Sequence, residues 1–230
     1  FVMTATNAGG TSGLSNELNA TPIAPPQEPV LSVVNPGNSQ VTLLWTAVSG
    51  ATGYSFKYGT ASGVYGTAVD VGNLTSYIVP GLSNGTLYYF VVTATNAGGI
   101  SLNSNELSAA PVEPPIAPVL NTATAGNAQI VLTWTAVPGA ISYSVHYGTA
   151  SGVYGPPVIV GNATSYTVTG LANGTEYYFA ITATNAGGIS PNSNQLNATP
   201  IAPPAAPILN TAIAGNAQVV LNWGPVTGAT

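Results

Sequence analysis

The chain of 230 residues carries one basic residue, Lys57, and six acidic ones, so that only 3% of it is charged and its formal net charge is −5. Without a basic face it cannot neutralise phosphates, which excludes nucleic acid as a partner, and without cysteine it has no disulfides, thiolate nucleophiles or thiolate metal sites. Hydrophobic residues still make up 45% of the chain, enough to build buried cores, and the longest apolar runs fall far short of the ~20 residues that span a membrane.

The chain begins inside a pattern that it later repeats. The letters of Phe1–Gly10 return almost unchanged in the second halves of Gly81–Gly99 and Gly170–Gly188. Aromatic and β-branched residues alternate there with a period of two, which predicts a strand with one face in a core. We therefore predict that residues 1–21 form the last two strands of a β-sandwich, and that the chain is a section of a longer natural array.

Proline-rich joints separate the repeats. Thr21–Pro29 is the first joint, and Pro111–Pro118 and Pro200–Pro207 are its counterparts. Such segments favour extended polyproline geometry and act as semi-rigid spacers. The array is therefore predicted to be a stiff rod.

A repeat of 89 residues determines the number of domains. Trp45, Trp134 and Trp223 are spaced by this length, and aligning Pro29–Ala117 with Pro118–Ala206 leaves about two-thirds of the positions identical. A unit of this size is large enough to bury its own core. The predicted domains are the end of one sandwich (1–24), two complete sandwiches (25–113 and 114–202) and the beginning of another (203–230).

Each complete domain is predicted to contain seven strands. In the first complete domain they lie near residues 30–34, 39–47, 53–58, 67–71, 75–79, 86–95 and 104–109, and the next domain repeats this layout 89 residues on. Val41, Leu43 and Trp45 share one face of the second strand, because side chains alternate along a strand.

The residues that face inward in the alternating pattern are predicted to form the structural core. Leu82 and Tyr88 have the spacing of a tyrosine corner, in which a phenol oxygen bonds to nearby backbone, and we expect that backbone group to be buried. The predicted core residues are Trp45, Trp134, Trp223, Tyr88, Tyr177, Leu82 and Leu171.

These signatures together resemble the fibronectin type III family. Val41–Trp45 resembles that family's second strand with its core tryptophan, Tyr54–Tyr58 its third strand, and Leu82–Ala94 its sixth. The same signatures recur at Ile130–Trp134, Tyr143–Tyr147 and Leu171–Ala183. The resemblance implies an all-β fold of tandem seven-stranded, immunoglobulin-like sandwiches that serve as spacer, adhesive or ligand-binding modules.

Neither catalysis nor cofactor or metal binding is predicted. His146 replaces Lys57 in the repeat and has no neighbouring partners for a triad or a metal site, so we interpret it as a surface histidine. The acids mostly fall at different positions of the repeat, as when Asp70 corresponds to Ile159. Only Glu17 and Glu106 match, and the third copy has Gln195 there, so we interpret the acids as scattered solvated charges. The chain is therefore predicted not to be an enzyme.

A repeated loop is the main candidate for an adhesive or self-associating surface. Gly59–Gly66 returns letter for letter at Gly148–Gly155, so Tyr65 and Tyr154 could make repeated contacts, although we favour local packing of the loop as the explanation for these tyrosines. Three further residues are predicted to face outward in this surface: Leu44, Tyr89 and Val91.

Six Asn-x-Thr sequons are possible glycan acceptors: Asn19, Asn73, Asn84, Asn162, Asn173 and Asn197. Asn-Gly turn chemistry alone is enough to explain Asn84 and Asn173.

Three hypotheses on function remain. The first is a structural protein, a charge-poor array of near-identical repeats that forms an extracellular fibre or surface layer with copies of itself. The second is a repeated adhesin that binds a surface polysaccharide or a protein ligand. The third is a spacer in a secreted polysaccharide-acting enzyme. Near-identity that extends to outward positions favours the first two hypotheses over the third, and of these we prefer the structural fibre, with adhesion as the alternative. All three place the chain outside the cell or at its surface.

Overall fold

The computed structural model describes residues 1–229. All of the regular elements in this range are β-strands. The chain divides into two compact units, Phe1–Val112 and Glu113–Thr230. Each unit holds one complete sandwich and one separate hairpin, so the predicted all-β fold is confirmed.

The first sandwich contains all seven predicted strands and one short additional strand, β9. After the hairpin strands β1 (Thr6–Asn7) and β2 (Gly10–Thr11), its strands are β3 (Leu31–Gly37), β4 (Gln40–Trp45), β5 (Gly53–Gly59), β6 (Val69–Asp70), β7 (Ser76–Pro80), β8 (Tyr88–Asn96), β9 (Gly99–Ile100) and β10 (Leu107–Ala109). The smaller sheet has the order β3-β4-β7, and the larger has the order β10-β8-β5-β6, with β9 also paired to β8.

The core of this sandwich lies between the inward faces of its two sheets. Trp45 is only 4% exposed and packs against Tyr54, with ring centroids 5.9 Å apart. The Tyr54 hydroxyl accepts a hydrogen bond of 2.7 Å from the backbone N–H of Val48, which satisfies its polar end. Asn105 fastens the start of β3, because its side chain both accepts from the N–H and donates to the carbonyl of Leu31, each at 2.9 Å.

The second sandwich repeats this topology with a different core. Its strands are β11 (Leu120–Gly126), β12 (Gln129–Trp134), β13 (Ser142–Gly148), β14 (Val158–Gly161), β15 (Ser165–Thr169), β16 (Tyr177–Asn185), β17 (Gly188–Ile189) and β18 (Leu196–Ala198). The smaller sheet is β11-β12-β15 and the larger is β14-β13-β16-β17, with β18 also paired to β16. Val145 occupies the position that Phe56 has in the first sandwich, which removes an aromatic ring from the core. Ile130 and Ile181 replace two valines, and their additional methyl groups fill part of the volume of that ring.

The last hairpin corrects one core prediction. Its strands, β19 (Leu209–Gly215) and β20 (Gln218–Trp223), pair only with each other among the described residues. Trp223 is consequently 57% exposed, whereas Trp134 is 3% exposed. The prediction that Trp223 is buried is wrong here, because no described sheet covers the inward face of this hairpin.

The proline-rich joints are bonded to the sandwiches beside them. Asn96 donates from its side chain to the carbonyl of Ala24 at 3.0 Å, and a Cβ on Gly98 would lie 2.6 Å from that same carbonyl oxygen. In the second unit Asn185 donates to the carbonyl of Glu113 at 2.8 Å. Only glycine fits where the backbone comes this close, so the turn after β8 is shaped to hold the joint.

The residues that follow each sandwich are held as well. In the first unit the N–H of Gly85 donates to the carbonyl of Pro111 at 2.8 Å, and Val112 donates to the carbonyl of Gly37 at 3.1 Å. The second unit has the same pair of bonds at Pro200 (2.9 Å) and Ile201 (3.0 Å). Both ends of each sandwich are therefore fastened by that sandwich's own turns.

Candidate functional site

The repeated loop Gly59–Gly66 begins at the last residue of β5, an inner strand of the larger sheet. Ala61 and Val64 pair across it, and the N–H of Gly66 donates to the carbonyl of Tyr58 at 2.9 Å. A Cβ on Gly59 would overlap the carbonyl oxygen of Val64, so this position requires glycine. The loop is thus a tight, internally bonded structure.

Glu106 holds this loop against the sheet. Its carboxylate accepts hydrogen bonds from the Ser62 hydroxyl at 2.6 Å, from the N–H of Gly63 at 2.9 Å and from the Tyr65 hydroxyl. These bonds, chiefly that from Ser62 and next that from Tyr65, hold the pKa of Glu106 below its ordinary value. Burial, and then the bond to Glu106, raises the pKa of Tyr65. We name this arrangement of Glu106 and the loop the loop clasp.

The loop clasp explains why one predicted surface residue is buried. Glu106 precedes β10 and Tyr65 lies beside β5, and β8 runs between those two strands. The Tyr65 side chain therefore crosses over β8, where Val91 points outward. Lys57 bridges the same strand by donating to the Asn103 side chain at 3.1 Å. Val91 is consequently only 2% exposed, and its assignment to an adhesive surface is wrong.

The second sandwich forms the same clasp with an uncharged side chain. Gln195 Oε1 accepts from the Tyr154 hydroxyl and from the N–H of Gly152, both at 2.9 Å. Gln195 Nε2 donates to the hydroxyl of Ser151 at 3.0 Å. Local loop packing therefore accounts for both repeated loop tyrosines. The interpretation of Glu106 as a solvated charge is therefore incomplete. The sequence held a signal of its role, because the glutamine at its counterpart position accepts two of the three equivalent bonds.

His146 lies beneath the second clasp, half-buried at the surface. Its ring centroid is 6.1 Å from that of Tyr154, and its Nε2 lies 3.1 Å from the hydroxyl of Thr182. Burial lowers the pKa of His146 below its ordinary value. Within residues 1–229, no group of three or more His, Cys, Asp or Glu side chains is arranged to hold a metal ion.

The remaining candidate surface residues lie on opposite sides of the molecule. Leu44 is 38% exposed on the outer face of the smaller sheet, whereas Tyr89 is half-buried on the outer face of the larger one. In the second sandwich Thr133 replaces Leu44, and its hydroxyl lies 2.7 Å from that of Thr122. The five predicted contact residues therefore do not form one patch.

The tyrosine corners are present but lie at the surface. The Tyr88 hydroxyl accepts from the N–H of Ser83, and that of Tyr177 from the N–H of Ala172, both at 3.2 Å. Leu82, at 4% exposure, packs beneath the first corner as predicted. The expectation that the bonded backbone group is buried is wrong, because the turn that donates it faces solvent.

Two of the sequon asparagines have a structural role. The side chain of Asn84 accepts from the N–H of Ser39 at 2.8 Å and donates to Asn38 at 2.9 Å. Asn173 makes the equivalent bonds to Ala128 and Asn127. Ser39 has a φ of 53°, a strained conformation for a non-glycine residue, and these bonds stabilise it.

A cavity of about 610 Å³ lies on the last hairpin, and its lining includes Pro207, Trp223 and Val226. Because Trp45 and Trp134 are core residues in the complete sandwiches, we interpret this cavity as an uncovered core face and not as a ligand site. Over residues 1–229 we find no helix long and apolar enough to cross a membrane.

Comparison with known proteins identifies the repeated unit. The sequence model of the fibronectin type III domain matches residues 24–110 and 116–199. A Kelch domain-containing protein of Saccharolobus solfataricus is 38% identical over 135 residues, which cover 57% of this chain and 18% of that protein. Chitinase A1 of Niallia circulans is 33% identical over 188 residues, or 70% of this chain and 25% of that protein. The chain thus spans a quarter or less of these curated relatives.

The fold is also found among solved structures. The crystal structure of the chicken CNTN1 FN1-FN3 domains matches with a TM-score of 0.66 at 22% sequence identity, covering 87% of this chain and 74% of that one. At this identity the similarity concerns the fold alone, and it agrees with the tandem sandwiches described above.

Proposed function

The chain belongs to the fibronectin type III family, and from this premise we propose that it is a non-catalytic structural spacer within a longer extracellular protein. The observation that carries the proposal is that the most strongly repeated segments are occupied by contacts within their own unit. Tyr58–Gly66 and Thr93–Ser101 return letter for letter 89 residues later. The first is held by the loop clasp, and the second contains the turn that holds the joint. Contacts inside each unit are therefore enough to explain why these sequences are identical, without a binding partner.

The opposite face of each sandwich has diverged between the units. On the outer face of the smaller sheet, Val33, Leu44 and Ile78 correspond to three threonines, Thr122, Thr133 and Thr167. Three apolar side chains have become hydroxyl-bearing ones, while the core beneath them stays closed. A spacer tolerates such drift, whereas a partner that contacts every unit through this face would not.

A spacer also needs restricted joints between its domains. Each sandwich bonds the residues before its first strand and after its last one, which leaves little free backbone in the joint. Proline further restricts the remaining dihedral angles. The relatives are several times longer than this chain, and one is named a chitinase. We accordingly place the array beside other domains of one polypeptide, as in a secreted polysaccharide-acting enzyme.

A fibre or surface layer is the second candidate, and two observations favour it. Only 3% of the chain is charged, which leaves little repulsion between copies. Apolar side chains are also exposed at the same positions of both units, with Val64 at 67%, Val153 at 65%, and Ile100 and Ile189 both at 66%. An adhesin would use the same side chains to bind a surface ligand instead of a copy of the chain.

Distance measurements test the spacer function. The chain has no cysteine, so spin labels can be placed through cysteines at the exposed positions Thr60 and Thr149, and the distance distribution measured in dilute solution. We expect a narrow distribution that broadens when Pro111–Pro118 is replaced by glycine and serine. A native distribution as broad as that of the replaced joint would overturn the proposal. Open-ended growth of particle size with concentration in sedimentation would support the fibre instead.

A further inference from the structure

One sheet edge differs between the two sandwiches in a way that bears on association. β14 is the outermost strand of its sheet and is bonded on one side only, to β13, among the described residues. It contains Val158–Gly161, whereas its counterpart β6 contains only Val69–Asp70. An exposed edge strand presents unpaired N–H and C=O groups, and proteins protect such edges by shortness or by charge. β6 has both protections.

The charged residue on edge strand β6 has no charged counterpart on edge strand β14. Asp70, whose side chain accepts from the N–H of Gly72 at 2.9 Å, corresponds to Ile159. Ile159 is 76% exposed, among the most exposed aliphatic side chains of the described residues. A negative charge that would repel an approaching strand is thus replaced by a β-branched apolar side chain, the type that favours strand pairing.

We propose that β14 pairs antiparallel with β14 of a second copy of the chain, which joins two larger sheets edge to edge across a two-fold axis. In this register Ile159 lies opposite Ile159 of the partner, so two exposed apolar side chains cover each other. Antiparallel pairing of identical edges is self-complementary, as a two-fold interface requires. Cross-strand pairs of β-branched residues stabilise such an edge.

The surroundings of β14 favour a copy of this chain over a charged partner. Between residues 113 and 230 the only carboxylates are Glu113 and Glu176, and there is no lysine or arginine. Two copies therefore meet without appreciable charge repulsion, and a strongly charged partner finds no complementary groups.

The same surroundings limit the contact to two chains. Pro156 and Pro157 precede the strand and have no N–H to donate, while the register shift at Val160 bends its other end. Pairing is therefore centred on Ile159, and of the two counterpart edges, β6 and β14, only β14 lacks the protecting charge. The expected assembly is a weak dimer, which does not depend on the spacer function.

Substitution at the edge tests this contact. Sedimentation velocity of the full chain over a concentration series should show a monomer–dimer equilibrium that Ile159→Asp weakens at least tenfold. Ile189→Asp is the matched control, since Ile189 is 66% exposed and lies on β17, away from this edge. It should leave the equilibrium unchanged. Equal effects of the two aspartate variants would overturn the proposal.

Cross-linking gives a second, independent readout. Because the chain has no cysteine, Ile159→Cys introduces a single thiol, and paired strands bring such thiols within disulfide reach. Mild oxidation should give a covalent dimer at least tenfold faster than it does for Ile189→Cys. Equal rates for the two variants, or the absence of any dimer of the unmodified chain at millimolar concentration, would exclude pairing through β14.

Discussion

The two cores differ at one opposed pair of residues, which allows a quantitative test of packing. Phe56 on β5 lies opposite Val92 on β8, and the two are 2% and 0% exposed. The second sandwich has Val145 and Ile181 there, both fully buried. We predict that the substitutions Phe56→Val and Val92→Ile are coupled, because the extra methyl group of isoleucine needs the space that the ring vacates.

The magnitude follows from the atoms removed. Phe56→Val deletes four side-chain carbons, and about 0.8 kcal/mol for each buried carbon gives about 3 kcal/mol. The ring also lies 5.2 Å from that of Tyr77, and losing such a pair adds about 0.5–1.5 kcal/mol. Val92→Ile alone overfills a closed core at a cost of about 1 kcal/mol or more. In the double variant the new methyl group recovers about 0.8 kcal/mol, so we expect a coupling free energy of about 2 kcal/mol.

Urea unfolding of the full chain measures this cycle, and the second sandwich serves as an internal reference because its core is untouched. The free energies of unfolding of the single and double variants should depart from additivity by about 2 kcal/mol, in the direction of mutual rescue. Additive effects, within about 0.5 kcal/mol, would show that the two side chains do not share a volume and would refute this description of the core.

Three further predictions concern the loop clasp and the tyrosine corner. The pKa of Glu106 is lowered in the folded state. Its contribution to stability is therefore present above the pKa of the unfolded state and is lost as the pH falls through the pKa of the folded state. The amide NMR signals of the first clasp should shift with pH in acid, and this shift should disappear in Glu106→Gln, which reproduces the residue found at Gln195. Gly59→Ala should cost about 2–3 kcal/mol, since its Cβ would overlap the loop backbone, whereas Gly66→Ala, whose Cβ would lie 3.6 Å from the nearest atom, should leave the thermal midpoint nearly unchanged. Tyr88→Phe removes the surface bond of the corner and should cost about 0.5–1 kcal/mol in urea unfolding; an unchanged free energy of unfolding would contradict a stabilising corner.

The strands were predictable because alternation is a local signal. Val41, Leu43 and Trp45 face inward as the period of two requires, since a strand in a two-sheet sandwich has one face against the other sheet and one face in solvent. The same argument failed for Val91, which does face outward but is covered by Tyr65. A covering side chain from a distant loop leaves no trace in the alternation of the strand beneath it.

The loop clasp shows a related limit. Glu106 lies 41 residues from Tyr65 in sequence and meets it only because β8 and β5 bring the two together. The letter-for-letter repetition of the loop did indicate a constraint, but it did not distinguish an internal contact from an external one. Trp223 illustrates the opposite case, because it has the same place in its strand as Trp45 and Trp134 but no described sheet covers it.

The bonds that fasten the joints also bear on how such an array changes over time. The turn at Asn96–Gly99 grips the residues before β3, and Gly37 and Gly85 grip those after β10, so each sandwich carries the anchors for both of its own ends. A recombination event that duplicates or deletes one block of 89 residues therefore moves a fold together with all of its fastenings. Array length can vary by whole repeats in this way without any new hydrogen bond having to evolve.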